Sequence, residues 1–167
     1  MTVFKSLSAL IILSALYLIG CGSTQQASNK NQVMPNSTEV QCLEGISGRN
    51  YHYLAWGIGN DNISAEEDAL KAAVYAAVLN GSSDGTCTPL MSSDERGKNQ
   101  TYINKFFTQE MYWKRYVNST SQGRIDPDKR LKLDDGRVKL GVDVIVNIKN
   151  LREDLERDGV LGTMQIK

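Results

Sequence analysis

Between residues 64 and 80 the chain places Ala65, Ala69, Ala73 and Ala77 one every fourth residue, with Ala72, Ala76, Leu70, Val74 and Val78 alongside. A four-residue repeat is helical, and one-carbon side chains along that face let the helix axis approach its neighbour closely. The expected neighbour is a sheet. Just upstream, residues 51–58 read Tyr-His-Tyr-Leu-Ala-Trp-Gly-Ile, an aromatic-rich stretch bounded by glycines that predicts a strand. Between the two, Asp61, Asn62 and Ile63 turn into Ser64, with Glu67 three residues later as an S-x-x-E capping box, and Gly81 supplies a helix stop.

The rest of the chain supplies elements to complete this pair. Residues 82–99 form a polar loop, and Tyr102, Ile103, Phe106 and Phe107 make the apolar face of a second helix over 101–110. Residues 111–117 either extend that helix or open a strand; a strand is preferred, because Asp135-Gly136 marks a hairpin turn between 130–133 and a long strand at 138–148. In that last strand Val142, Val144, Val146 and Ile148 share one face, which predicts one buried side and one mostly wet side. A short amphipathic helix from Leu151, ended by Gly159, closes the chain. The order predicts an α+β fold, a small antiparallel sheet of about three strands with helices packed on one face.

The first twenty residues are of another kind. Lys5 is their single charge, and residues 7–19 are an apolar run ending in Leu18-Ile19-Gly20-Cys21. Thirteen residues of helix span only ~20 Å, short of the ~30 Å of a bilayer core. A basic start, a short apolar core and small residues before a cut are the marks of an export signal. The tetrad is similar to a bacterial lipobox, which implies cleavage after Gly20 and lipidation of Cys21. Gly22 and Ser23 follow without an acidic residue, so the resemblance implies the periplasmic face of the outer membrane, or the outer face in a cell with one membrane. Expected domains are a signal at 1–20, the lipidated cysteine and a flexible Ser/Thr/Gln/Asn-rich tether at 21–39, and one folded domain at 40–167.

Charge and cysteine content narrow the function classes. The whole chain has 19 basic and 19 acidic side chains; without Lys5 the balance is 18 to 19, dispersed, and gives no electrostatic case for nucleic acid. With Cys21 lipidated, Cys42 and Cys87 are left as a disulfide in an oxidising compartment or as two buried thiols, the disulfide being favoured.

No catalytic constellation stands out. Gly57-x-Gly59 lacks the third glycine of a dinucleotide fingerprint, Asn62 taking its place, and no P-loop lysine follows. His52 is the single histidine and sits in a strand on the face opposite Tyr51 and Tyr53. The acidic groups Glu66-Glu67-Asp68, Asp94-Glu95, Asp134-Asp135 and Glu153-Asp154 read as helix-end and turn chemistry and lack the alternation of a calcium loop. Neither a metal nor a cofactor is expected.

A strand ending Trp56-Gly57-Ile58-Gly59, the alanine ladder from Ala65 to Ala77 and the late Asp-Gly hairpin into a valine-rich strand, behind a lipobox-type cysteine, resemble the twenty-kilodalton bacterial lipoprotein family. That family is similar to the N-terminal domain of a flagellar outer-membrane T protein. The resemblance spans residues 51–151 and implies architecture more than chemistry. Together with the anchor it implies a non-enzymatic interaction or scaffold module, bound to the membrane through its lipid and contacting an envelope protein or its own copies. The aromatics at 51–56 and 112–116 are the candidate contact residues. The alternative is an envelope enzyme or a protein binding a small ligand such as peptidoglycan or another glycan.

Overall fold

The computed structural model describes residues 32–46, 49–109, 111–121 and 123–162. The signal and Cys21 lie outside the described residues. Among the described residues five strands form one antiparallel sheet: β1 (Val40–Ile46), β2 (Asn50–Gly59), β3 (Val117–Ser119), β4 (Arg130–Lys132) and β5 (Val138–Asn147). The spatial order is β1-β2-β5, with β3 and β4 sharing the far edge of β5, β3 at Val144–Val146 and β4 at Val138–Leu140. The α+β class and the layer of helices against an antiparallel sheet are as expected; the sheet has five strands where about three were expected, β1 having no counterpart among the expected elements and β3 beginning at the end of the stretch preferred as a strand, 111–117.

Helix α1 (Asn62–Tyr75) lies along β2 and β5. Ala65, Ala69, Ala73 and Ala77 are all fully buried, so the ladder is the face that meets the sheet. Its closeness is set from the other side as well. A Cβ built on Gly57 would fall on the Ala65 carbonyl oxygen and the Ala69 amide, and one on Gly59 on the Ala65 amide. Two glycines in the strand and four alanines in the helix thus remove the side chains that would hold the two backbones apart.

The start of α1 differs from the expected box. Asp61 is the cap, its Oδ1 accepting from Ser64 N at 2.7 Å, while Ser64 Oγ accepts from Asp61 N at 3.1 Å. Ser64 therefore takes the third helical position that Glu67 was expected to take, and Glu67 instead pairs with Lys114 at 2.6 Å. The helix ends in a wider π turn (Ala76–Asn80). The carbonyls of Ala77 and Val78 are taken by Leu90 N and Met91 N at 2.8 and 3.0 Å, so the 82–99 stretch is pinned to this turn. That stretch also contains a short helix, α2 (Ser93–Lys98), capped by Ser92 and Glu95.

Helix α3 (Gln100–Thr108) buries Ile103, Phe106 and Phe107, and α4 (Ile148–Arg157) buries Ile148, Leu151 and Leu155. Both close around the end of α1, where Phe107 meets Tyr75 with ring centroids 5.5 Å apart. The strand preferred at 111–117 is mostly a 3-10 turn (Tyr112–Tyr116) leading into β3. A three-residue period puts Trp113 and Tyr116 on one side, and both are buried.

The folded unit takes in residues before Val40. Val33 packs on the core, and the buried Asp68 carboxylate accepts from Asn36 N (2.8 Å), Ser37 N (3.2 Å) and Ile58 N (2.9 Å). Burial pushes the Asp68 carboxyl above its ordinary range, while these three donors and Lys71 pull it down. An amide would turn an NH2 group toward at least one N–H that now has an acceptor. Asp68→Asn is therefore expected to cost about 1–3 kcal/mol, read as a lower urea midpoint with faster amide exchange at Asn36 and Ser37. An unchanged midpoint would show that the carboxylate does not hold this segment.

Candidate functional site

Alternation along the strands sorts every side chain of the sheet. Tyr53, Ala55 and Gly57 of β2 and Val142, Val144 and Val146 of β5 face α1, and none of them is exposed. The other face carries His52, Leu54, Trp56 and Ile58 from β2 and Lys139, Gly141, Asp143, Ile145 and Asn147 from β5. Leu131 of β4, opposite Lys139, belongs to it too. Among the described residues no helix covers this face. Leu54, Trp56, Ile58 and Ile145 are half-buried, and Leu131 is 49 % exposed.

Trp56 sits at its centre. Gly141 lies opposite it on β5, and a Cβ there would come within 3.2 Å of the indole and of the Lys129 Cβ. The missing side chain lets the ring lie across the strand. Lys139 Nζ stands 5.0 Å from the ring centroid, a cation–π distance, and pairs with Glu39 at 2.6 Å. On the other flank Lys129 pairs with Asp143 at 2.8 Å. The arrangement is an apolar patch with an aromatic centre, bordered by two ion pairs that leave no net charge from these four groups. Chemically it suits contact with a surface of mixed character; it brings no nucleophile and base together.

The expected chemistry-bearing residues fall elsewhere or into structural roles. Cys42 and Cys87 form a disulfide, with Cα atoms 5.7 Å apart. It ties β1 to the loop after α1, and that loop also occupies the outer edge of β1: Ser83 N donates to Val40 O at 2.7 Å and Cys42 N to Asp84 Oδ2 at 3.2 Å. Gly57 and Gly59 lie under α1, where a phosphate could not approach. His52 is on the open face opposite Ile145, and its Nε2 is enclosed without a hydrogen-bond partner.

Each of the acidic clusters has a member held in a structural contact, Glu67 and Asp68 as described above. Glu95 caps α2 by accepting from Ser92 N at 2.8 Å and accepts also from Gly162 N at 3.1 Å, and these two bonds hold its carboxyl below the ordinary range. Asp135 pairs with Arg137 in the hairpin turn, and Glu153 with Lys149. Asp154 accepts from the Tyr116 hydroxyl at 2.6 Å and pairs with Arg157 at 2.7 Å. Burial and that hydrogen bond push the Tyr116 phenol up to about 12, and the same bond holds the Asp154 carboxyl down. A parallel bond from Tyr102 to Asp158 at 2.8 Å joins α3 to α4. Among the described residues no group of His, Cys, Asp and Glu side chains has the geometry to hold a metal ion, and no helix is long and apolar enough to cross a membrane.

Of the aromatics taken as contact candidates, Tyr53, Trp113 and Tyr116 are core and Trp56 alone lies centrally on the open face. Leu54, Ile58 and Leu131 were not singled out. Their signal is in the sequence: the run from Tyr53 to Ile58 holds no polar side chain on either face, although only one face meets a helix. No family model, curated protein or solved structure matches this chain.

Proposed function

We propose that the protein is a lipid-anchored, non-enzymatic lipoprotein of the cell envelope, acting as an interaction or scaffold module at the periplasmic face of the outer membrane. The observation that carries the contact role is the sheet face that no helix covers among the described residues, whose apolar centre around Trp56 and paired charges match the composition of protein contact surfaces. Export is supported by two independent features. Residues 18–21 have the lipobox pattern with Cys21 at the cut, and the Cys42–Cys87 disulfide is the kind of bond that persists in oxidising compartments. The residues that resemble the twenty-kilodalton lipoprotein family, Trp56 to Gly59 and the alanine ladder, form the contact between β2 and α1. The resemblance therefore supports a shared architecture and leaves the partner to the open face.

Two or three long acyl chains at ~0.8 kcal/mol per buried methylene hold a protein on its membrane without further contacts. Cys21→Ser is therefore expected to move the protein from the detergent phase to the aqueous phase on phase partitioning, or to leave the precursor with its signal uncut. A variant that enters the detergent phase as fully as the parent, with the signal removed, would exclude lipidation at Cys21.

A further inference from the structure

We infer that the open face of the sheet is the contact between two copies of this chain, stacked sheet on sheet with their helices outward; the inference rests on the reading of this face as the contact surface. Three features favour a copy over other occupants. The first is charge. Around Trp56, Lys129 and Lys139 are matched on the same face by Asp143 and Glu39 at 2.8 and 2.6 Å, so the apolar centre of the face neither attracts an anionic lipid or nucleic acid nor repels its own image. A like-on-like contact needs that neutrality, because an unbalanced face meets its own charge across the two-fold axis.

The second feature is size. β2 and β5 are ten residues each, β1 is seven, and β3 and β4 are three each, so at the usual rise and strand spacing the face covers ~520 Å². Two such faces bury roughly 1,000 Å², the size of a weak, reversible interface. The third is shape. With Gly141 under the indole, Trp56 lies along the sheet instead of standing off it, and the patch offers the low relief that face-to-face sheet packing at ~10 Å requires. Leu54, Ile58, Leu131 and Ile145 then surround the ring as an apolar field that a second copy covers in full.

An interface of this size associates in the micromolar range, which the crowding of anchored copies on one membrane converts into a populated dimer. The test uses the full chain extracted in detergent. Sedimentation velocity over a concentration series is expected to show a monomer–dimer equilibrium. Acrylamide quenching of tryptophan is expected to fall as the dimer forms, since Trp113 is already buried and Trp56 alone changes exposure. Leu54→Lys buries an unpaired charge twice across the two-fold axis and is expected to weaken dimerisation at least about a hundredfold. Lys105→Glu, on the exposed side of α3, is expected to leave it unchanged. Far-ultraviolet circular dichroism and a melting curve establish that Leu54→Lys is folded, and Ile145→Lys serves in its place if it is not.

A parent chain that stays monomeric at about 100 μM, above the dissociation constant expected for this area, overturns the inference. So does a dimer that both folded lysine variants preserve. If the monomer nonetheless shields Trp56 from quencher, a segment of the same chain covers the face. If the parent is monomeric but a cross-link in cells to a different protein is lost in Leu54→Lys, the inference fails while the contact-surface reading stands. Loss of membrane anchoring in the parent would bear on the envelope reading alone.

Discussion

Replacing Gly57 by alanine is expected to destabilise the domain by about 3 kcal/mol, the upper end for overpacking, seen as a fall in melting temperature of roughly 10 °C. The added methyl has nowhere to go. Its position falls on backbone atoms of Ala65 and Ala69, and backbone gives way only if α1 lifts from β2 along its length, opening the alanine contacts around Ala65, Ala69 and Ala73. Gly97 is the control: it lies in α2 with open space around its Cα, and alanine there is expected to raise stability by about 0.5–1 kcal/mol through helix propensity. If Gly57→Ala melts with the parent, α1 does not approach β2 as closely as the ladder implies.

Loss of the disulfide is expected to be larger. The bridge joins residues 45 apart, and releasing a loop of that length from constraint in the unfolded chain costs about 4 kcal/mol. A domain of this kind has a total stability of only about 5–15 kcal/mol. The double variant Cys42→Ala with Cys87→Ala is the clean form of the test, since it leaves no lone thiol to cross-link. Its denaturant midpoint should fall accordingly. Amide exchange should quicken first at position 42, whose backbone N–H is held by Asp84 on the loop that the bridge secures. Without that loop the outer edge of β1 offers free pairing groups, so the variant is also expected to aggregate more readily. A loss below about 1 kcal/mol would mean that the remaining loop contacts hold β1 unaided.

The two effects act on different states, and that separates them. Gly57→Ala strains the folded chain, whereas the disulfide restricts the unfolded one. A dithiothreitol titration of the parent should therefore reproduce the double cysteine variant and leave the melting difference between parent and Gly57→Ala unchanged. The two sites lie on different contacts, the α1–β2 seam and the β1–loop edge, so their effects are expected to add.

The elements legible from residues alone were those written in short-range chemistry. The four-residue alanine period, the alternation of Val142, Val144 and Val146, the Asp135-Gly136 turn and the face Ile103, Phe106, Phe107 each repeat within one element, and each took the expected form in α1, β5, the β4–β5 hairpin and α3. The misses share a cause. β1 has little apolar period of its own and becomes a strand because β2 offers it an edge and the Ser83–Asp84 loop takes the other side. α2 reads as a polar loop because nothing on it is buried; Glu95 and Asn99 hold it through Gly162 and Val160. At the start of α1, Ser64 had two local partners, Asp61 before it and Glu67 after it, and Lys114 drew Glu67 away.

The candidate surface shows the same division. Strand periodicity determined that β2 has two apolar faces, Tyr53-Ala55-Gly57 and Leu54-Trp56-Ile58, but not which one a helix would cover. The tertiary structure decided it at Gly57 and Gly59, where only that face admits the α1 backbone, leaving Trp56 on the other side. Gly141, Lys139 and Glu39 join it there across separations of up to 100 residues. Periods and turns are set by neighbours a few bonds away, and so the sequence by itself determined α1, β2, β5, α3 and the β4–β5 turn. Which faces meet, and which one is left uncovered, depends on packing between segments that only the folded chain brings together.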